Sequence, residues 1–250
     1  MLLFDDSECN IPLPVYEGLY DRAHYIMYNR RKRGIFGMTI QEMKEAVWSW
    51  AKQSYEEKLF AGTSGNLSVY DHEQGIMVIT PTSVAYESIM PEDMVAMRLD
   101  GEVLEGTYRS SSEWRMHAAV YREKPEVGAM IHTHSPYATA FAINHSNIPV
   151  ALIEMVLFFG GDIPLAAFAV PGTWEVGEEA VKVLKERTAC LLANHGVLTV
   201  GEDLKQAHLR AVYVEDAAKI CSIAMTQGKL VTIPEEYVEA MKRQQKNSDR

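Results

Sequence analysis

The spacing of apolar residues predicts a helix near the start of the chain and a strand pair after it. From Thr39 to about Lys58, apolar side chains recur at helical spacing, and Glu42 follows Thr39 at the distance of a capping box. The stretch 67–71 alternates between apolar and polar residues, which is typical of a strand, and the apolar stretch 75–81 predicts its partner strand. We therefore expect these two stretches to pair in antiparallel fashion.

Strands and helices alternate along the rest of the chain. Residues 93–106 predict a hairpin that turns at Asp100 and Gly101. No repeat, low-complexity segment or linker divides the sequence, so we expect one domain in which helices flank a mixed or antiparallel sheet. The other predicted elements are, in chain order, a helix at 111–125, a strand at 127–134, helices at 135–145 and 173–187, a strand–turn–strand unit at 189–201, a helix at 204–228 and a short terminal helix.

Composition narrows the classes of function. The chain has 250 residues, of which 47% are hydrophobic, and this is enough for a full core. Its net charge of −10 argues against a nucleic-acid or anionic-membrane partner. The three cysteines are widely spaced and form neither a disulfide framework nor a cysteine-pair zinc site. Because the chain lacks a long apolar run and a signal-peptide pattern, we expect a soluble cytoplasmic protein.

Two histidines lie one residue apart in the predicted strand, within the sequence MIHTHS. Residues i and i+2 of a strand point to the same face, so His132 and His134 present two imidazoles together. A catalytic zinc site usually has three protein ligands and one open position. His195 in the turn ANHG is the best third candidate, because Gly196 allows the backbone to pass close by. The alternative, a buried and hydrogen-bonded histidine pair without a metal, stays open at this point.

Two acidic residues are candidates for proton transfer. Glu113 is predicted in the first turn of the helix at 111–125, where an acid often only complements the helix dipole; beside a metal it would serve as a ligand or an acid–base group. His117, four residues later, is either a packing residue or a support for Glu113. Glu154 lies in the apolar stretch ALIEMVLFFGG. Burial there would raise its pKa and suit it to acid–base work, unless an arginine pairs with it.

Three turns that precede the histidines are rich in groups that bind anions. The stretches 63–68, 80–83 and 110–112 combine Ser, Thr and Asn side chains with backbone N–H groups. Such donors can hold a phosphate without a lysine. Each stretch alone is more often an ordinary turn or cap, so the prediction of an anion site depends on all three occurring together.

In this order the motifs resemble those of the class II aldolase and adducin head-domain family, whose best-known enzymes cleave fuculose 1-phosphate. The resemblance runs from about Met38 to Tyr237 and is carried by GTSGNLS, ITPTS, EGTYRSSSEWRMH, MIHTHS, IPVALIEM and LLANHG. It implies a single-domain, three-layer α/β/α sandwich with a central, mostly antiparallel sheet at residues 38–250, behind an N-terminal extension at 1–37. It also implies a homotetramer with active sites at the subunit interfaces.

The resemblance implies roles for individual residues. Zn²⁺, with Mn²⁺, Co²⁺ and Fe²⁺ ranked below it, would be held by His132, His134 and His195, with Glu113 as a displaceable fourth ligand and acid–base group. Glu154 is followed by methionine, as in relatives acting on methylthioribulose phosphate, and we expect it to be a second catalytic residue. The implied phosphate pocket consists of Gly65, Asn66, Thr82, Ser83, Ser111 and Ser112.

The implied reaction is cleavage of a ketose 1-phosphate, of the deoxypentulose or fuculose phosphate type, to dihydroxyacetone phosphate and an aldehyde through a zinc-stabilised enediolate. Two departures bear on the substrate: Ser83 replaces a common glycine, and Glu154 stands near the position of the fuculose enzyme's tyrosine proton donor. Alternatives on the same scaffold are a pentulose-5-phosphate 4-epimerase and a methylthioribulose-phosphate dehydratase. A non-catalytic module like the adducin head is disfavoured, because that class lacks the three histidines.

Overall fold

The computed structural model describes residues 37–248, so the predicted extension at 1–37 lies outside the described residues except for Gly37. Within the described part, the chain forms one eight-stranded sheet with helices on both faces. No helix in this part is both long and apolar enough to cross a membrane.

The sheet is almost entirely antiparallel. In chain order, its strands are β1 (Asn66–Asp71), β2 (Ile76–Ile79), β3 (Val95–Met97), β4 (Val103–Glu105), β5 (Ala129–Thr133), β6 (Leu165–Ala166), β7 (Ala189–Leu192) and β8 (Gly196–Gly201). Across the sheet the order is β4-β3-β2-β1-β5-β8-β7-β6, and only the pairing of β6 with β7 is parallel. The predicted β1–β2 pair and the hairpin of β3 and β4 are confirmed, and Gly101 in the hairpin turn has a φ of +104°, which glycine adopts without strain.

Seven α-helices flank the sheet in the described residues: α1 (Ile40–Glu56), α2 (Trp114–Glu123), α3 (Pro136–Ile143), α4 (Ile153–Phe159), α5 (Trp174–Leu184), α6 (Leu204–Gln227) and α7 (Glu235–Ser248). The predicted capping box at α1 is confirmed, because the Thr39 hydroxyl accepts from the Glu42 N–H and the Glu42 carboxylate accepts from the Thr39 N–H. The short strand β6 was not predicted, since two residues are too few to give a periodic signal.

Alternation along the strands creates three layers. In β5, Ile131 faces a cluster formed with α1 and α6, whereas Met130 faces a cluster formed with α2 and α5. The helices α3 and α4 lie in the same layer as α6, where all three pack on β7 and β8. The fold is therefore the three-layer α/β/α sandwich implied by the resemblance. Its central strands β1, β5 and β8 carry the candidate site.

Candidate metal centre

Strand β5 presents the two histidines of MIHTHS together. His132 is fully buried, and its Nε2 lies 2.9 Å from Nε2 of His134. Nδ1 of His132 lies 2.8 Å from the backbone carbonyl of Val197 on the neighbouring strand β8. A carbonyl oxygen can only accept, so Nδ1 carries the hydrogen and Nε2 is the nitrogen available to a metal. The sheet itself therefore selects the ligating tautomer.

The turn between β7 and β8 brings in the third histidine. The His195 ring centroid lies 4.7 Å from that of His132 and 5.1 Å from that of His134. Close approach of β8 to β5 depends on Gly196, since a Cβ there would lie 2.3 Å from the carbonyl oxygen of Thr133. The predicted convergence of the three imidazoles and the predicted need for glycine are both present in the structure.

Glu113 completes a four-residue cluster. Its Oε2 lies 2.9 Å from Nε2 of His132, and its Oε1 lies 3.5 Å from Nε2 of His195. One ligand atom from each of Glu113, His132, His134 and His195 lies within 4.8 Å of the others. The prediction that Glu113 occupies the first turn of its helix is wrong, because α2 begins at Trp114 and Glu113 is its N-cap residue. The Ser111 hydroxyl accepts from the Glu113 N–H at 3.3 Å, so a turn precedes the helix.

Burial and neighbouring charges set the protonation of this cluster. Burial lowers the pKa of His134 and of His195 to about 4, and the nearby His132 acts in the same direction. Burial alone would raise the pKa of Glu113, but the adjacent His132, with smaller effects from His195 and Asn66, lowers it to about 2. At neutral pH, His134 and His195 are therefore neutral and Glu113 is ionised, which are the states that bind a cation.

The residues fit a divalent cation on a second ground. Oε1 of Glu113 is buried and has no hydrogen-bond partner, and a buried carboxylate oxygen without a partner is costly. A cation held by the three imidazoles, with Glu113 as a displaceable fourth ligand, would satisfy this oxygen until substrate takes the place of the carboxylate. Three imidazoles with one carboxylate, and no thiolate, are a donor set that suits zinc.

Helix α3 braces both segments that carry the outer histidines. Its N-terminus directly follows His134, and the Glu215 carboxylate on α6 accepts from the N–H groups of Tyr137 and Ala138 at 3.0 and 2.9 Å. Near its C-terminus, the Ala142 carbonyl accepts from the N–H of Asn194, the residue before His195. Asn194 adopts the left-handed region with a φ of +55° and accepts from His145 through its side chain at 2.6 Å. The same helix therefore positions His134 and His195.

Backbone hydrogen bonds join the three predicted anion-binding turns. The Thr80 N–H donates to the Leu67 carbonyl, and the Ser111 N–H donates to the Thr80 carbonyl. The Thr82 N–H donates to the Arg109 carbonyl in the same manner. The stretches 63–68, 80–83 and 110–112 therefore adjoin one another beside Glu113.

The predicted phosphate residues differ in exposure and backbone conformation. Gly65 has a φ of +82°, and a Cβ there would lie 2.3 Å from the Phe60 ring, so glycine is required. Ser83 is exposed with a φ of +59°, the left-handed conformation that suits the glycine common in the family. Ser112 is exposed, Thr82 is half-buried and Ser111 is buried.

Asn66 and His117 have contacts that sequence reasoning did not find. The Asn66 amide lies between two groups, since its Nδ2 is 3.4 Å from Oε2 of Glu113 and its Oδ1 is 2.6 Å from Nε2 of His117. His117 is fully buried, and it is linked to Glu113 through Asn66 rather than by direct contact. Its position four residues after Glu113 suggested a supporting role, but the link through Asn66 on another element had no local signal.

Glu154 lies outside the cluster of ligands. It occupies the first turn of α4 and is exposed, so the expectation that it is buried is wrong for the single chain. The residues Met155, Val156 and Phe159 turn inward, whereas Ile153 and Leu157 are 58% and 44% exposed beside Glu154. The apolar residues around Glu154 in sequence therefore divide between the core and the outer face of α4, and Glu154 lies on the outer face.

Comparisons with known proteins agree with this geometry. The family model described as the class II aldolase and adducin N-terminal domain matches residues 45–222. The chain is 34% identical over 202 residues to the 5-deoxy-D-ribulose 1-phosphate aldolase of Bacillus thuringiensis serovar kurstaki, which covers 81% of this chain and 94% of that protein. It is 35% identical over 196 residues to the L-ribulose-5-phosphate 4-epimerase of Salmonella paratyphi C, covering 74% and 86%. A solved L-fuculose 1-phosphate aldolase superposes with a TM-score of 0.78 at 36% identity, covering 82% of this chain and 96% of that one.

Proposed function

The chain belongs to the class II aldolase and adducin family, and from this premise we propose a metal-dependent aldolase that cleaves a ketose 1-phosphate. The substrate is of the deoxypentulose or fuculose phosphate type, and the products are dihydroxyacetone phosphate and an aldehyde. One observation carries the proposal: Glu113, His132, His134 and His195 offer four ligand atoms within 4.8 Å of one another. Two relatives, an aldolase of deoxyribulose 1-phosphate and an aldolase of fuculose 1-phosphate, supply the substrate class.

The cluster holds a divalent cation, and we propose that this cation is zinc because the donors are three imidazoles and a carboxylate. When bound, the cation supplies a Lewis acid that polarises substrate oxygens and stabilises the negative charge left by carbon–carbon cleavage. No Schiff base is needed, and no lysine occurs in the motifs GTSGNLS, ITPTS, EGTYRSSSEWRMH, MIHTHS, IPVALIEM and LLANHG.

Glu113 is proposed to move the proton at the carbon atom freed by cleavage. Its carboxylate has one oxygen, Oε2, in contact with Asn66 and His132, and a second, Oε1, without a hydrogen-bond partner. Its pKa of about 2 means that it enters the reaction ionised, as a base. The unpartnered oxygen is then proposed to accept the proton of the hydroxyl on the carbon that becomes the aldehyde, and to return it to the carbon that keeps the electron pair of the broken carbon–carbon bond.

The joined turns beside Glu113 are proposed to bind the phosphate of the substrate. Ser112 and Ser83 are exposed, and Thr82 is half-buried, so their hydroxyls are open to a ligand. Backbone hydrogen bonds join the turns 80–83 and 110–112, and Ser112 directly precedes Glu113 in the sequence, which supports a phosphate site beside the metal ligands. Gly65, Asn66 and Ser111 complete the proposed pocket. A phosphate held there would place the carbonyl end of a 1-phosphate substrate toward the histidines.

A homotetramer with Glu154 at a subunit interface is a further part of the proposal. Glu154 lies on an outer face of α4 beside the exposed side chains of Ile153 and Leu157. Large exposed apolar residues next to a polar group are typical of surfaces that another chain covers. Glu154 would then reach a site in the partner chain as a second acid–base group. Light scattering of the purified protein tests the assembly, and a monomeric enzyme with full activity contradicts it.

A substrate screen tests the proposed reaction. Purified protein with bound metal is assayed with ketose 1-phosphates and with pentulose 5-phosphates, and dihydroxyacetone phosphate is detected by a coupled enzyme. Release of dihydroxyacetone phosphate from a ketose 1-phosphate is expected. Interconversion of pentulose 5-phosphates without such release would instead identify an epimerase. The Glu113→Gln variant is the control, and it should bind metal but lose turnover, because the amide cannot act as a base.

A further inference from the structure

A chain of buried polar side chains leads away from the metal-binding cluster between β1 and α2. His117 Nε2 lies 2.6 Å from Asn66 Oδ1, and His117 Nδ1 lies 2.7 Å from the Ser68 hydroxyl. The Tyr121 hydroxyl extends the chain, at 2.8 Å from Ser68 Oγ. His117 and Ser68 are fully buried and Tyr121 is 2% exposed. A buried network of this kind is stabilising only when every member is satisfied, as here.

The ionised carboxylate of Glu113 fixes the direction of every hydrogen bond in this buried network. An ionised carboxylate only accepts, so Asn66 turns its Nδ2 toward Glu113 and its Oδ1 toward His117. Oδ1 needs a donor, and His117 is therefore protonated at Nε2, which leaves Nδ1 to accept from the Ser68 hydroxyl. The Ser68 hydroxyl has no second hydrogen, so Tyr121 donates to Ser68 Oγ at 2.8 Å and shares this hydrogen with the backbone carbonyl of Ser68 at 3.1 Å. Burial lowers the pKa of His117 to about 3, which agrees with a neutral ring.

We propose that His117 is a positioning residue that acts through Asn66 to hold Oε2 of Glu113 and leave Oε1 free for proton transfer. The expected effect on kcat rests on the proposed function, whereas the arrangement of hydrogen bonds rests on the contacts described above. The two oxygens already differ, because Oε2 contacts Asn66 whereas Oε1 has no hydrogen-bond partner. Without His117 the amide loses the donor that fixes its orientation, so Asn66 would no longer hold Oε2 of Glu113 in one place.

Two substitutions of His117 separate hydrogen bonding from packing. The His117→Phe variant fills space without a donor, whereas His117→Gln keeps an N–H near the position of Nε2. Loss of an outer hydrogen-bond partner of a metal-ligating carboxylate typically costs about 10–100-fold in activity. We expect such a fall in kcat for His117→Phe, with little change in KM, and recovery of most of it in His117→Gln. Bound metal should stay at the wild-type amount in both.

Equal losses of kcat in the two variants would overturn the proposal, because the donor would then be irrelevant. Loss of bound metal from both would also overturn it, since His117 would then support the ligands and not the orientation of one oxygen. Should His117→Phe fail to fold, Ser68→Ala replaces it, because this smaller change removes the donor to Nδ1 together with the contact to Tyr121. A fall in kcat is expected for Ser68→Ala. Unchanged kcat in a folded Ser68→Ala variant would contradict the proposed positioning role of His117.

A control and a spectroscopic test complete the design. His208 is also buried, but it contacts Glu57 and Trp50, away from the chain described above, so His208→Gln should leave kcat unchanged. Nitrogen NMR of histidine-labelled protein should show His117 neutral and protonated at Nε2, with its signal assigned by its absence from His117→Gln. Protonation at Nδ1 alone would overturn the proposed direction of the hydrogen bonds. If wild-type protein cleaves no ketose phosphate, the proposed reaction is wrong. The NMR result still decides whether the hydrogen bonds run from Ser68 through His117 and Asn66 to Glu113 as proposed.

Discussion

Replacement of Gly196 by alanine is expected to weaken metal binding in addition to lowering the stability of the fold. The new Cβ would lie 2.3 Å from the Thr133 carbonyl oxygen, 3.1 Å from His134 Cδ2 and 3.2 Å from His132 Cε1. An ordinary carbon–oxygen contact is about 3.3 Å or longer, so β8 must shift by roughly 1 Å at this point. His195 directly precedes Gly196 and would move with it.

The expected magnitude follows from the tolerance of metal ligands. Metal–ligand distances in a working site vary by only about 0.2 Å, so a displacement of roughly 1 Å removes His195 as a ligand. A misplacement of this size costs about 100-fold at an active site, or about 2.7 kcal/mol when it is expressed as metal affinity. The overpacking itself should lower the free energy of unfolding of metal-free protein by about 1–3 kcal/mol.

The opposite end of β8 offers a matched control. A Cβ at Gly201 would lie 2.7 Å from the backbone nitrogen of Ala207 and 2.9 Å from the Asp203 carbonyl oxygen, far from the histidines along the strand. Gly201→Ala should therefore lower the stability of the metal-free protein but keep wild-type affinity for zinc, measured by competition with a chromogenic chelator. The reasoning is refuted if Gly196→Ala binds zinc as tightly as the wild type, or if both variants lose affinity equally.

Three further predictions concern metal, backbone strain and pH. Zinc at 100 times its Kd should stabilise the protein by about 2.7 kcal/mol, and a chelator should reverse the rise in Tm; an unchanged Tm would contradict the site. Ser83→Gly should raise the free energy of unfolding by about 0.5–1 kcal/mol in urea titrations, because the left-handed φ of +59° costs serine more than glycine loses in chain entropy, and a loss of stability would contradict this strain. Burial would raise the pKa of Asp71, but hydrogen bonds from Gln74, Gly37 and Glu73 lower it. This carboxylate therefore stabilises the fold above its unfolded pKa of about 3.9, and its contribution to the free energy of unfolding is lost as pH falls below that value. Asp71→Asn should therefore lose less stability than the wild type between pH 7 and pH 3, and equal losses would contradict the assignment.

The histidine cluster was predictable because a short-range rule produces it. Period-two geometry places His132 and His134 on one face regardless of the rest of the fold. The approach of His195 needed a glycine at a tight turn, and that signal is also local. The predicted helix begins at residue 111, whereas α2 begins at Trp114, because Ser111 forms a turn before the helix. A serine can either cap a helix or form a turn, and the sequence alone does not distinguish these two uses.

Long-range contacts and assembly were beyond the sequence. The link from His117 to Glu113 passes through Asn66, which lies 51 positions before His117 and reaches it only when β1 packs on α2. The burial expected for Glu154 came from its apolar neighbours, but α4 points Ile153 and Leu157 outward. A single sequence does not reveal whether an apolar face meets its own core or another chain, so the role of Glu154 and the tetramer stay predictions.

The pairing of β5 with β8 also sets the order of events when the chain folds. His132 and the Val197 carbonyl that orients it are 65 positions apart, and all of α3 to β7 lies between them. An unfolded chain offers a cation only the neighbouring imidazoles of His132 and His134, whereas the full set forms after this distant closure. The cation therefore stabilises the sheet after it has formed and does not nucleate it. We expect metal binding to be a late step in folding.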